Sequence, residues 1–177
     1  MIVRRRFSSR TVTLATACLA LLAACGGPSS PSSSFNAPSA DIECMARAMY
    51  FESIRSSRDG MIAVGSVVMN RVESDAFPNT VCGVVSQRNQ FAPGVMTKPM
   101  ESRSAPLARA AAQSVLAGER HPDVAGAMFF HAATYRASFN NMHYVVTTGG
   151  NAFYERRRPE NVTAPRPLPA TEGITGR

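Results

Sequence analysis

The stretch Ile42-Glu43-Cys44-Met45-Ala46-Arg47-Ala48-Met49-Tyr50-Phe51-Glu52 decides how this chain folds. Ile42, Met45, Ala46 and Met49 recur at helical spacing and lay down one apolar face. Ser39 or Asp41 is placed to cap a helix that begins near Ile42. The helix fades over residues 51–54. Glu52 falls at the border of the apolar face. A carboxyl there loses hydration, which raises its pKa and favours the protonated form. A neutral carboxylic acid beside a cleft can donate a proton at neutral pH. The competing reading of the residue by itself is a helix-end glutamate bent into solvent.

The elements downstream read mainly as helix. Residues 59–72 form a second helix with Asp59 as its cap, and MIAVGSVVMNRV is long enough to favour a buried helix over a strand. Ala63, Gly65 and Ser66 are small and let a neighbouring helix approach. Phe77-Pro78-Asn79-Thr80 is a turn, with Thr80 capping a short helix over 81–86. Residues 88–103 lack periodicity and form a long loop, of a kind that is often functional. Ser104 caps a third long helix, with Pro106 in its first turn and Gly118 past its end. The runs AMFF at 127–130 and HYVVTT at 143–148 suggest a small antiparallel pair of strands. The sum is an α+β, mainly helical domain.

Composition bounds the rest. The chain has 177 residues, 45% hydrophobic and 18% charged, which suits one globular domain. The net charge is +7, but Arg4, Arg5, Arg6 and Arg10 supply four of those charges, so about +3 remains without them. Arg156-Arg157-Arg158 is the one basic run left and reads as a solvated end, so a nucleic-acid partner is not expected. Basic residues 1–10 and the apolar stretch TVTLATACLALLAA at 11–24 read as a secretory signal, too short to span a bilayer comfortably. Leu22-Ala23-Ala24-Cys25 resembles a bacterial lipobox, which makes Cys25 the expected lipidation site and the membrane an expected partner through it. By analogy with Gram-negative lipoproteins, the absence of an acidic residue after Cys25 suggests the periplasmic face of the outer membrane. The expected organisation is a signal peptide at 1–24, a lipidated Cys and Ser/Pro/Gly-rich tether at 25–40, a folded unit at 41–158 and a disordered Pro-rich tail at 159–177.

Cys44 and Cys82 remain for the folded unit. In an oxidising compartment they can pair, and the alternative is two buried thiols. No CxxC or HxxxH spacing accompanies them, and no His/Asp/Glu cluster has ligand spacing, so no metal and no cofactor is expected.

Several separated motifs resemble the SleB-type cell wall hydrolase family. They are the run 42–52, then Gly60-Met61-Ile62-Ala63-Val64-Gly65-Ser66-Val67-Val68-Met69-Asn70-Arg71-Val72, then Phe77-Pro78-Asn79-Thr80-Val81-Cys82-Gly83-Val84-Val85, Gln90-Phe91, Phe130-His131-Ala132, and Gly149 to Phe153-Tyr154. The resemblance covers roughly 41–156. It implies a lysozyme-like arrangement that cleaves peptidoglycan glycan strands, with Glu52 in the position of the catalytic acid. The chain departs from the family after that residue. Glu52-Ser53-Ile54-Arg55-Ser56 lacks the usual glycine and second acid. The loop after Gln90-Phe91 lacks the usual Trp and Cys. Phe139 stands where Trp is common, and Asn151 where His is common.

Glycoside hydrolysis normally uses two carboxylates, whereas a lytic transglycosylase can use one. Only Glu52 is both matched to the family and placed for the cleft, so the expected chemistry is single-acid cleavage between N-acetylmuramic acid and N-acetylglucosamine, with a 1,6-anhydro product. Tyr50, Gln90, His131 and Asn151 are candidate substrate-binding residues. Each also has a plain structural reading, His131 as a satisfied core histidine among them. Two alternatives stay open: a non-catalytic peptidoglycan-binding lipoprotein with a degenerate site, and a peptidoglycan amidase. The sequence points to no protein partner.

Overall fold

Three helices enclose the core, and small residues let them do so. Helix α1 (Ser39–Glu52) buries Cys44, Met45, Ala46, Ala48, Met49 and Tyr50. It starts earlier than expected, because Pro38, with φ at −53°, feeds directly into the first turn. Neither Ser39 nor Asp41 caps it. Helix α2 (Arg58–Val72) is buried without a break from Asp59 to Val68, which explains its nearly all-apolar sequence. At Gly65, a β-carbon would sit 2.3 Å from Met49 Cε and 3.0 Å from Val115, so α1 and the later helix α4 (Ala105–Leu116) pack against bare backbone there. Short helix α3 (Val81–Val85) is capped by Thr80, whose hydroxyl accepts from the Gly83 N–H. Cys44 of α1 and Cys82 of α3 form a disulfide with a Cα–Cα distance of 5.3 Å. A cross-link of this kind contributes roughly 2–4 kcal/mol by restricting the unfolded chain.

The computed structural model describes residues 37–176, all in one compact unit. The expected signal peptide at 1–24, Cys25 and most of the expected tether at 25–40 lie outside the described residues.

Two expectations about caps and strands are corrected. Ser57, not Asp59, caps α2, its hydroxyl accepting from the Gly60 N–H at 2.9 Å. Asp59 instead accepts from the backbone N–H groups of Ile174 and Thr175 at 2.7 and 2.8 Å, and from the Thr175 hydroxyl. The two expected strands, β1 (Phe129–Ala132) and β2 (Met142–Thr148), do not pair with each other. A third strand, β3 (Asn151–Arg156), lies between them, and the order is β1-β3-β2, antiparallel throughout. Gly149 and Gly150, with φ of +58° and +82°, close the β2–β3 hairpin in a conformation glycine adopts without strain. Val146 and Phe153 bury one sheet face in the helical core, while Met142, Tyr144 and Ala152 form a smaller cluster.

The segment expected to be a disordered tail is ordered instead. A 3₁₀ turn at Pro159–Asn161 leads along β2, where Thr147 and Ala170 form a parallel bridge and the Thr171 N–H donates to the Thr147 carbonyl at 2.8 Å. The Glu172 carboxylate accepts from the Gly149 N–H at 2.7 Å and the Ser57 hydroxyl at 2.6 Å. Polar bonds rather than apolar burial hold this segment, so its composition resembles a disordered one. Prolines are compatible with it because the segment is irregular apart from one bridge at Ala170, so few of its N–H groups are needed in a ladder.

Candidate active site

Glu52 is the last residue of α1, and three neighbouring segments fix it. The Asn151 side-chain amide donates to the Glu52 carbonyl at 2.6 Å. The Ile54 N–H donates to the Gly149 carbonyl at 2.9 Å, which pins the backbone just beyond α1 to the hairpin turn. The Ala92 N–H, from the long loop, donates to Glu52 Oε1.

The carboxyl is half-buried. Burial raises its pKa above the ordinary carboxylate value. The Ala92 N–H and the positive charge of Arg71 oppose that rise without cancelling it. The side chain thus favours the protonated acid while keeping a donor and a cation at hand for the carboxylate that forms after proton release. Arg71 supplies the positive charge that opposes the rise.

Arg71 was not singled out by sequence reasoning, although an arginine near the end of an apolar helix was a visible anomaly. It is only 3% exposed. Its Nε donates to the Met128 carbonyl at 2.8 Å, and its guanidinium lies 5.1, 5.4 and 5.9 Å from the ring centres of Phe77, Phe91 and Phe129. Burial lowers its pKa to about 10, so it is a cation at neutral pH. Its Nη1 is buried with no partner among the described residues.

Two open cavities flank this arrangement. One, of about 510 Å³, follows the loop from Val85 to Thr97 and is lined by Phe91 and Ala92 among others. The other, of about 450 Å³, is lined by Arg71, Phe77, Gln87, Asn89, Gln90, Phe129, Phe130, Tyr154 and Arg156. Glu52 lines neither. The two groups that act on it, Ala92 and Arg71, line one each.

The candidate binding residues divide. Gln90 is exposed and lines the second cavity. Tyr50 is corrected: it is 3% exposed, its hydroxyl accepts from the Ser102 N–H at 3.2 Å, and it packs edge-on against Phe51. Asn151 is corrected too. It is 6% exposed and is spent on the Glu52 carbonyl, so it positions the acid and is not free for sugar. His131 lies among Tyr135, Tyr144 and Tyr154. Its Nδ1 meets the Ala132 carbonyl at 2.9 Å, an acceptor only, so Nδ1 carries the proton. Nε2 then accepts from the Tyr144 hydroxyl at 2.7 Å. This is a satisfied structural histidine, and no contact joins it to Glu52.

The other well-placed carboxylates are committed elsewhere. Glu43 pairs with Arg47 and Arg109, Glu73 with Arg120, Glu119 with Arg58, and Glu155 with Arg157. Asp59 and Glu172 hold the C-terminal segment.

Fold and site together define a helix-dominated α+β domain organised around one half-buried acid. The chain belongs to the cell wall hydrolase family, whose model matches residues 55–154, beginning just after Glu52. Among curated proteins it is similar to the spore cortex-lytic enzyme of Bacillus cereus, 47% identical over 51 residues, which are 29% of this chain and 20% of that protein. The Oceanobacillus iheyensis enzyme of the same name is 41% identical over 51 residues, 29% of this chain and 18% of that one. The matched stretch thus spans about a fifth of the length of these relatives. Among solved structures, the fold is similar to the catalytic domain of the germination-specific lytic transglycosylase SleB from Bacillus anthracis. The TM-score is 0.55 with 27% identity, covering 67% of this chain and 96% of that one. For the Bacillus cereus SleB catalytic domain the TM-score is 0.54 with 28% identity, covering 65% and 89%.

Proposed function

We propose that this domain cleaves peptidoglycan glycan strands between N-acetylmuramic acid and N-acetylglucosamine, with Glu52 as the single acid and base. The carrying observation is that Glu52 ends α1 half-buried, its carboxyl accepting from the Ala92 N–H and its carbonyl from the Asn151 amide, with burial raising its pKa. The family membership and the names of the relatives, cortex-lytic enzyme and lytic transglycosylase, support a peptidoglycan substrate.

Protonated Glu52 donates its proton to the bridging oxygen as the bond from that oxygen to C1 breaks. The C6 hydroxyl oxygen of the same muramic residue forms a new bond to C1 and passes its proton to the Glu52 carboxylate. The acid is regenerated, and a 1,6-anhydro end results without water. The Ala92 N–H and the Arg71 charge stabilise the carboxylate between the two transfers. Gln90, which lines the adjacent cavity, is the side chain we propose to hydrogen-bond substrate there.

Digestion of purified sacculi tests this. Release of anhydro-muropeptides, abolished by Glu52→Gln, is the expected result. Reducing-end products without the anhydro ring replace transglycosylation by hydrolysis. Freed stem peptides with intact strands replace both by an amidase. Binding without release leaves a non-catalytic glycan-binding lipoprotein.

We also propose that residues 1–24 direct export and that Cys25 anchors the protein to the periplasmic face of the outer membrane. Labelling of the full chain with radioactive palmitate, lost in Cys25→Ala, and fractionation with outer membranes are the expected results.

A further inference from the structure

The cavity that Gln90 lines carries two guanidinium groups and no carboxylate in its walls. One is Arg71, buried, with Nη1 unpartnered. A buried cation normally has a counter-charge, because desolvation makes an unpaired one costly. Here the nearby carboxyl is Glu52, which must be neutral to act as an acid. When the site is ready to react, Arg71 therefore has no ionised carboxylate beside it.

The second cation is Arg156, exposed, with its guanidinium 4.4 Å from the centre of the Phe129 ring. It joins no ion pair among the described residues; adjacent Glu155 is committed to Arg157 at 2.8 Å. A guanidinium lying on a ring keeps its edge N–H donors free for a planar acceptor. Phe129 stacks in turn on Tyr154, with ring centres 5.6 Å apart, which gives the cavity a firm aromatic wall beneath the charge.

We propose that this cavity binds a carboxylate borne by the muramic acid side of the substrate, either the free lactyl group or a carboxylate of the attached stem peptide. Arg156 makes the direct contact. Arg71 acts from the wall by its charge, since its free nitrogen is buried. The assignment deepens the reading of Glu52 as a glycan-cleaving acid and rests on it.

The test uses the full-length Glu52→Gln protein, which mimics the neutral acid and cannot cleave by the proposed route. Its binding is measured to three preparations of strands: peptide-bearing strands, amidase-stripped strands with free lactyl carboxylates, and peptide-bearing strands whose carboxylates have been converted to neutral amides. The amidated strands should bind about tenfold more weakly than the better of the other two, a loss on the scale of one charge-assisted hydrogen bond. Adding Arg156→Ala should remove most of that preference, by weakening binding to carboxylate-bearing strands more than binding to amidated ones. Raised salt should shrink the preference. Whichever carboxylate-bearing strand binds better identifies the source of the charge. Equal binding of native and amidated strands, no binding to any of them, or an equal loss on both with Arg156→Ala overturns the proposal. A failure of the cleavage reading shows up separately, as wild-type protein that releases no muropeptides while the binding comparison still reads out.

Discussion

Asn151, at the start of β3, donates its side-chain amide to the backbone carbonyl of Glu52, 99 positions earlier in the chain, at 2.6 Å. The bond ties the last residue of α1 to the sheet and so helps to hold its terminal carboxyl. A peptide carbonyl at a helix end needs a donor, and here the donor comes from the sheet. Asn151→Ala leaves that carbonyl unsatisfied and opens a small gap. The expected cost is about 1–2 kcal/mol in urea unfolding. Muropeptide release should fall by more than stability alone explains, because the acid loses its placement. An unchanged turnover number with the stability loss intact would separate the bond from catalysis.

Glu52 itself should destabilise the fold when ionised. Its folded-state pKa is raised chiefly by burial, so the native state holds the proton more tightly than the unfolded chain. The stabilising contribution of the protonated form is complete below the unfolded pKa and is lost as pH rises through the folded one. Glu52→Gln is therefore expected to be more stable than wild type at neutral and alkaline pH, with the difference shrinking on acidification. In the wild type, turnover should fall along the same alkaline limb. A pair of thermal melts across pH, set beside the rate profile, checks both.

Gly60→Ala offers a sharper test of packing. Within a helix this change normally stabilises by up to about 1 kcal/mol. Here the added β-carbon would lie 2.4 Å from Gly149 Cα, a backbone atom of the β2–β3 turn that cannot step aside alone. A net destabilisation of roughly 1–3 kcal/mol is expected, together with lower activity, since Gly149 also accepts from the Ile54 N–H beside the acid. A stabilised Gly60→Ala protein would show that α2 and the turn are not in this close contact.

The C-terminal segment should detach in acid. Burial pushes the Asp59 carboxyl up, but the bonds from Ile174 and Thr175 outweigh it and hold the carboxyl below its usual value. Stability from such a group is present above the unfolded pKa and lost as pH falls through the folded one. Amide exchange at Ile174 and Thr175 should accelerate over that acid window in wild type, and should be fast at all pH values in Asp59→Ala. Slow exchange in the variant would mean that other contacts carry the segment.

Much of this was legible in the residues, and the failures share a cause. Met45 and Met49 place Glu52 at a half-dry border because helical periodicity and burial are written in side-chain type. The role of Asn151 was not legible, since its partner is a backbone carbonyl and any residue supplies one. Tyr50 looked like a groove residue, yet its helix buries it. Asp59 begins the apolar run and so suggests a cap, whereas Ser57 two positions earlier caps the helix and leaves the aspartate to Thr175. Strand β3, Asn-Ala-Phe-Tyr-Glu-Arg, has no long apolar run, yet it is the central strand because its neighbours satisfy its backbone on both sides.

The Cys44–Cys82 cross-link and the Asn151 bond grip the same helix at two points, one on its second turn and one at its last residue. Under reducing conditions only the second grip survives. The placement of the Glu52 carboxyl, the proposed proton donor, is thus tied to thiol chemistry some two helical turns away, so a reductant is expected to loosen the end of α1 without altering the carboxyl itself.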